Sequence, residues 1–378
     1  MERSVETPLR IERISLDEVA LPLREPLQAA WGAEPVRRFW LVGVHADGLS
    51  GWAETVAGDA PLYAEETHAG VADVVRRHLG PRLMAEPLAR PEDAAGRLAA
   101  VRGNRMAKAG LEMAVWDWFA RRRGEPLWRL IGGRGGEVPA GIVLGFAPLD
   151  VLVRRAEAAW AAGYRRIKLK IRPGFDREPL EAVRRALPDA VLAADANGSY
   201  RRTDTEAIRA LDPLHLDFLE QPLPPEDLVG HARLQAQLRT PVALDESVRC
   251  REDAETAWSL RAARIFNVKP GRVGGLAEVR RIARWAAPAG ASLWCGGMLE
   301  SGVGRAAALH VASLAAFDRP PDLSASSRYF AVDLVVTPFE LTPQGTLRVP
   351  DGPGIGVVPD PDRLRRFRTG GFALRPGE

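Results

Sequence analysis

From residue 138 onward, short apolar runs alternate with amphipathic stretches. Runs at 138–143, 167–171, 190–195, 216–220, 242–245, 265–269, 292–295 and 322–324 have the length and apolar density of buried strands. Between them, 149–162, 178–186, 203–211, 225–238, 251–262, 275–289 and 304–316 place apolar residues three and four apart, as helices do. Strand–helix units repeated in this way build a parallel sheet, and eight strands suit a closed barrel. The expected fold class is therefore α/β, with a (β/α)7β-type TIM barrel over residues 135–324.

Ahead of the barrel the texture changes. Residues 11–21 and 39–45 read as strands, 48–54 as the return of a hairpin through Ala46-Asp47-Gly48, and 63–79, 91–101 and 106–122 as amphipathic helices. This predicts an α+β capping domain over 1–134. The Pro- and Gly-rich residues 325–378 are expected to return to that domain and complete it.

Composition narrows the function classes. The formal charge is only +3 despite a pI near 9.1, and the arginines are scattered rather than clustered with aromatics, so no nucleic-acid partner is expected. No two of the six histidines have HxxH or HxxxH spacing, and Cys250 and Cys295 form no CxxC, which argues against zinc and against a disulfide framework. The first fifteen residues carry charges throughout and no apolar run, so the expectation is a cytoplasmic protein without a membrane partner. A homo-oligomer acting on a small-molecule carboxylate is expected.

Lysine usage is sharper than any of these. Of 52 lysines and arginines only four are lysine, namely Lys108, Lys168, Lys170 and Lys269. Arginine holds its proton at any usable pH, whereas lysine can lose it when desolvated or set beside another cation. The four survivors mark candidate sites for a deprotonatable amine, although Lys108 lies outside the barrel and suggests no more than a buried ion pair.

The polar residue closing each central strand repeats with the βα unit: Lys170, Asp195, Glu220, Asp245 and Lys269, at steps of 25, 25, 25 and 24. Residues at the C-terminal ends of barrel strands face one mouth. Three converging carboxylates repel one another unless a cation neutralises them, and an all-oxygen set fits Mg2+ or Mn2+. An acid just past a strand also serves as an ordinary helix cap, but three at one period beside two lysines favour the metal site. In IKLKI, Lys168 and Lys170 point to the same face, the barrel interior. Mutual repulsion would favour a neutral Lys170 acting as base while Lys168 stays charged and binds an anion. Lys269 approaches from the opposite side, so a carbon between the two could lose a proton on one face and regain one on the other.

Several stretches, MAKAGLEMAVWDWFARRRGEPLWRLIGG, KLKI, DANGSY, FLEQPL, LDES, NVKPGRVGG, WCGGMLESGVGRAA and DLSASSRYF, resemble the enolase superfamily. Within its muconate-lactonizing-like group they are similar to the o-succinylbenzoate synthase and N-succinylamino-acid (N-acylamino-acid) racemase family. Dipeptide epimerases of similar build carry DxD where this chain has Asp322-Leu323-Ser324, a departure that argues against that activity. The resemblance implies Asp195, Glu220 and Asp245 as metal ligands, Lys170 and Lys269 as acid/base catalysts, and Lys168, Asn197 and Glu246 as supporting residues. It also implies that Arg272 belongs to racemase-competent members; a cation there would lower the pKa of Lys269. Residues 24–37 resemble a loop that closes over substrate. The implied reaction is syn dehydration of 2-succinyl-6-hydroxy-2,4-cyclohexadiene-1-carboxylate to o-succinylbenzoate for menaquinone synthesis. Two-base racemisation of N-acyl amino acids is the alternative, and a non-catalytic barrel scaffold the remote one. Gly274-Gly275 and Gly302-Val303-Gly304 read as tight turns rather than phosphate cradles.

Overall fold

The computed structural model describes residues 7–29 and 32–378. Its first layer is antiparallel: β1 (Arg13–Ala29) pairs with β2 (Gly32–Ala46), which pairs with β3 (Leu49–Glu54). Four helical stretches follow, of which Arg105–Arg122 is the longest. The chain then forms β4 (Glu137–Pro139), followed by the parallel strands β5 (Gly141–Leu144), β6 (Arg166–Lys170), β7 (Val191–Asp195), β8 (Leu219–Glu220), β9 (Val242–Leu244), β10 (Ile265–Asn267) and β11 (Ser292–Trp294). Finally β12 (Thr346–Arg348) pairs with β4, and β13 (Arg368–Leu374) closes the first sheet in the order β13-β1-β2-β3.

The parallel sheet has seven strands, β5 to β11 in sequence order, where eight were expected. Residues 322–324 do occupy the eighth position but form no ladder. Asp322 N–H donates to the Cys295 carbonyl and the Ser324 hydroxyl to that of Gly141, one bond toward each edge strand. The run expected at 138–143 also divides, its first half pairing with β12 and its second starting the barrel.

Two further differences affect the site. The helix expected from residue 63 begins at His68, because the Thr67 side chain accepts the Gly70 N–H as a cap; residues 63–67 are left as a connecting segment. Where a loop was expected over 24–37, β1 and β2 continue as paired strands up to Ala29 and from Gly32. Antiparallel pairing uses backbone groups, so the mixed composition there did not prevent it. Residues 30 and 31 of that stretch, and residues 1–6 of the charged N-terminus, lie outside the described residues.

Side-chain alternation along the parallel strands produces two interior layers. The lower is apolar: Ala193, Phe218, Ala243, Ile265 and Trp294 form one buried cluster. Two residues further along β7, β8, β9 and β10, on the same face, come Asp195, Glu220, Asp245 and Asn267. On β6 the same period gives Arg166, Lys168 and Lys170. Among the described residues no helix is long and apolar enough to cross a membrane.

Candidate active site

Strand register brings the predicted residues together. Lys170 lies beside Asp195 and Asp195 beside Glu220 across adjacent strands, while Asp245 directly follows β9. Lys269 lies two residues beyond β10 and starts the Pro270–Val273 turn of helix, in which Pro at the first helical position spares a backbone donor. Lys170, Asn197 and Lys269 border one cavity of about 470 Å³, with the two lysines carried on strands separated by β7, β8 and β9. Arg37, Val56, Tyr63 and Met106 from the N-terminal layer, and Met298 and Leu299 from the barrel, complete its walls.

Each amine meets carboxylates. Lys170 Nζ donates to Asp195 Oδ2 at 2.7 Å and Asn197 Oδ1 at 2.6 Å. Asn197 in turn donates to Glu246 Oε1 at 2.8 Å. Lys168 Nζ reaches Glu220 Oε2 at 2.5 Å, Asp322 Oδ2 at 2.6 Å and Asp195 Oδ2 at 3.2 Å. Lys269 Nζ donates to Asp245 Oδ2 at 2.8 Å and to the Tyr63 hydroxyl at 3.0 Å. Arg272 is ion-paired to Asp245 and also donates to Tyr63 at 3.1 Å and to the Asn267 and Val248 carbonyls.

These contacts set the protonation states. Burial pushes the Asp195 carboxyl up, but the charges of Lys170 and Lys168 outweigh it and hold the group at about 2. Burial, reinforced by the charge of Asp195, raises Glu220 and pushes Glu246 up to about 7. Burial disfavours the charged form of Lys168, yet Asp322, Glu220 and Asp195 hold its ammonium above the ordinary range. The expectation that Arg272 lowers the pKa of Lys269 fails here. Burial does pull Lys269 down, but Tyr63, Glu220 and Glu246 outweigh it and raise the group, while Arg272 spends its charge on Asp245.

Among the described residues, no three His, Cys, Asp or Glu side chains are grouped as a ready metal cage. Ammonium and guanidinium groups neutralise the acids instead. The donor chemistry nonetheless fits a hard divalent cation: Asp195, Glu220, Asp245 and Glu246 stand at adjoining strand ends, and the buried Oε2 of Glu246 has no hydrogen-bond partner among the described residues.

Three contributors were not anticipated. Tyr63 comes from a segment predicted to be helical, and only the fold brings it to Asp245. Asn267, whose amide donates to Glu220 Oε1 at 2.8 Å, lies two positions before Lys269 on the inward face, so strand periodicity marked it. Gln221, inside FLEQPL, accepts the Asp245 N–H at 3.0 Å and donates to the Ser247 hydroxyl at 2.8 Å, fixing the turn that presents Asp245. Among the described residues Lys108 has no ion-pair partner where a buried ion pair was expected; its ammonium donates to the Val101 carbonyl. The glycine pair is a turn, since Gly274 and Gly275 have φ of 100° and 115°, and a Cβ on Gly275 would lie 2.2 Å from Glu112 Oε2.

Comparison with known proteins places this arrangement. Residues 151–363 match the enolase C-terminal domain-like family, and residues 11–132 match the mandelate racemase / muconate lactonizing enzyme N-terminal domain. An o-succinylbenzoate synthase from Geobacillus kaustophilus is 44% identical over 361 residues, covering 95% of this chain and 96% of its own. An N-succinylamino acid racemase from Thermus thermophilus is 45% identical over 350 residues, covering 92% and 95%. The crystal structure of an enolase-superfamily member from Listeria innocua, 36% identical, superposes with a TM-score of 0.93 over 97% of this chain and 99% of that one.

Proposed function

The chain belongs to the enolase superfamily and, within it, to the family of o-succinylbenzoate synthases and N-succinylamino acid racemases; from that membership we propose a metal-dependent lyase of the o-succinylbenzoate synthase type. The observation that carries the reading is the placement of Lys170 and Lys269 on opposite sides of one cavity, above a row of strand-end carboxylates. Asp195, Glu220 and Asp245 would hold the cation, Mg2+ or Mn2+, with Glu246 nearby. When bound, it supplies the positive charge that stabilises an enediolate next to the substrate carboxylate.

Lys170 Nζ, released from Asp195 and acting as the neutral amine, takes the proton from the carbon beside the carboxylate and becomes the ammonium. The electron pair of that C–H bond enters the enediolate. As the enediolate collapses, the C–O bond to the 6-hydroxyl breaks, and Lys170 returns its proton to the departing oxygen as water. One residue on one face thus serves as base and then acid, giving a syn elimination. Lys269 stays an ammonium ion and balances charge from the other side. Walls supplied by both layers keep bulk water from the enediolate. The setting we assign is menaquinone synthesis in the cytoplasm.

A second reading, two-base racemisation of N-succinyl or other N-acyl amino acids, is supported by Lys269 facing the cavity opposite Lys170 with Arg272 alongside. In it Lys170 and Lys269 are equal partners.

With Mg2+, the protein should convert 2-succinyl-6-hydroxy-2,4-cyclohexadiene-1-carboxylate to o-succinylbenzoate, followed by absorbance. Chelation should stop the reaction, added Mg2+ or Mn2+ should restore it, and Lys170→Ala should lose at least ~100-fold. Turnover by metal-free protein, or full activity in Lys170→Ala, would contradict the proposal.

A further inference from the structure

Asp322 takes no part in the proton transfers above. It lies buried inside the barrel between two cations. Its Oδ1 accepts from Arg166 Nη2 at 2.7 Å, while its Oδ2 accepts from Lys168 Nζ at 2.6 Å and from Trp294 Nε1 at 3.1 Å. Arg166 is fully buried among the apolar lower layer, its guanidinium 5.0 Å from the Phe218 ring centroid and 5.7 Å from that of Trp294. Its Nε and Nη1 have no hydrogen-bond partner among the described residues. Lys168 also faces upward, to Glu220 at 2.5 Å and Asp195 at 3.2 Å. A continuous line of charge, Arg166 to Asp322 to Lys168 to Glu220 and Asp195, therefore runs from the barrel interior to its mouth.

We propose that Asp322 is a positioning residue for the metal centre, retaining Lys168 as its counter-ion so that Glu220 and Asp195 can exchange the ammonium group for a divalent cation. The argument follows from what Lys168 loses. When Glu220 and Asp195 turn to a cation, the buried ammonium gives up two of its three carboxylate partners. An unpaired ammonium inside a protein is costly, and Asp322 is the partner that remains. Arg166 and the Trp294 indole fix the Asp322 carboxylate in place, so the alternative partner is already oriented. Without a negative charge at 322, Lys168 either stays on Glu220 and competes with the cation, or stands unpaired.

This inference rests on the assignment of Asp195 and Glu220 as ligands, and Mn2+ binding to the substrate-free protein, read by electron paramagnetic resonance, tests the two separately. Asp322→Asn keeps the size and one acceptor oxygen but removes the charge. It should weaken Mn2+ binding by about tenfold or more, as loss of an outer partner of a metal site does. In a Lys168→Met background the same substitution should have little effect, because the group it acts through is gone. If Asp322→Asn does not fold, as judged by circular dichroism, the comparison is made between Arg166→Met and Arg166→Met/Asp322→Asn, in which the two buried charges leave together. Equal Mn2+ affinity with and without the Asp322 charge, or an equal loss in the Lys168→Met background, overturns the inference while leaving the metal assignment intact. Failure of the unaltered protein to bind Mn2+ overturns both.

Discussion

A Cβ on Gly296 would lie 2.5 Å from Cε of Lys269 and 2.4 Å from Oδ1 of Asn267. Neither can retreat freely, because Lys269 is held by Asp245 and Tyr63 and Asn267 by Glu220. Gly296→Ala must therefore move the amine. Since misplacement by about 1 Å can cost ~100-fold in rate, a loss near that size is expected in racemisation of N-succinylphenylalanine, measured by polarimetry. The accompanying loss of stability should be only about 1–3 kcal/mol, the ordinary cost of overpacking. Wild-type racemisation would show that Lys269 is not held as described. At this scale the lysines and acids were legible because each ends its own strand one βα unit from the next. Tyr63 was not, because nothing in its local sequence records a partner 182 residues away.

Two helices each carry a buried histidine that accepts a backbone N–H. On Leu228–Gln235, His231 Nε2 accepts the Leu223 N–H at 3.2 Å; on Gly302–Ala312, His310 Nδ1 accepts the Trp128 N–H at 3.1 Å. Protonating either nitrogen would break the bond it accepts, and burial holds both side chains near pKa 4, below the ordinary 6.5 of histidine. The unfolded chain therefore takes up protons that the folded one refuses. Stability is fully present above pH 6.5 and is lost as pH falls toward 4, by on the order of 3 kcal/mol per histidine. His231→Gln and His310→Asn preserve an acceptor without a titrating ring, so urea midpoints of the double variant should fall less steeply over that window; an unchanged slope would rule these histidines out. The βα repeat itself was legible from periodicity. The start of the His68 helix and the strand extensions of β1 and β2 were not, since a single capping threonine decides the first and backbone pairing the second. Residues 322–324 read as a strand because composition registers burial, which they have, rather than ladder bonds, which they lack.

Across the whole molecule, two buried glutamates join the layers. Glu54 from β3 accepts the N–H groups of Ser301 at 3.0 Å and Gly304 at 3.2 Å, at the start of the Gly302–Ala312 barrel helix. Glu112 from Arg105–Arg122 accepts those of Leu276 at 2.7 Å and Ala277 at 2.8 Å, starting Leu276–Ala289. Each satisfies donors that a helix start otherwise leaves open. Glu54→Ala and Glu112→Ala should each cost about 1–3 kcal/mol in denaturant unfolding, and nearly additively because they share no partner; an unchanged midpoint in either would mean the cap is dispensable. This joining explains why Arg105–Arg122, expected to be amphipathic, is buried on almost every side. Sequence periodicity sees one helix at a time and did not register that a second layer covers its other face.

Both proposed reactions use Lys170 and Lys269 facing one cavity from opposite sides, and deuterium uptake from D2O into each enantiomer of N-succinylphenylalanine, followed by proton NMR, shows whether the two amines address opposite faces of one carbon. With Mg2+ the unaltered protein should exchange the α-proton of both enantiomers. Lys170→Ala should lose exchange of one enantiomer and Lys269→Ala exchange of the other, each by at least ~100-fold. Continued exchange of both enantiomers at the wild-type rate in either variant would contradict that arrangement.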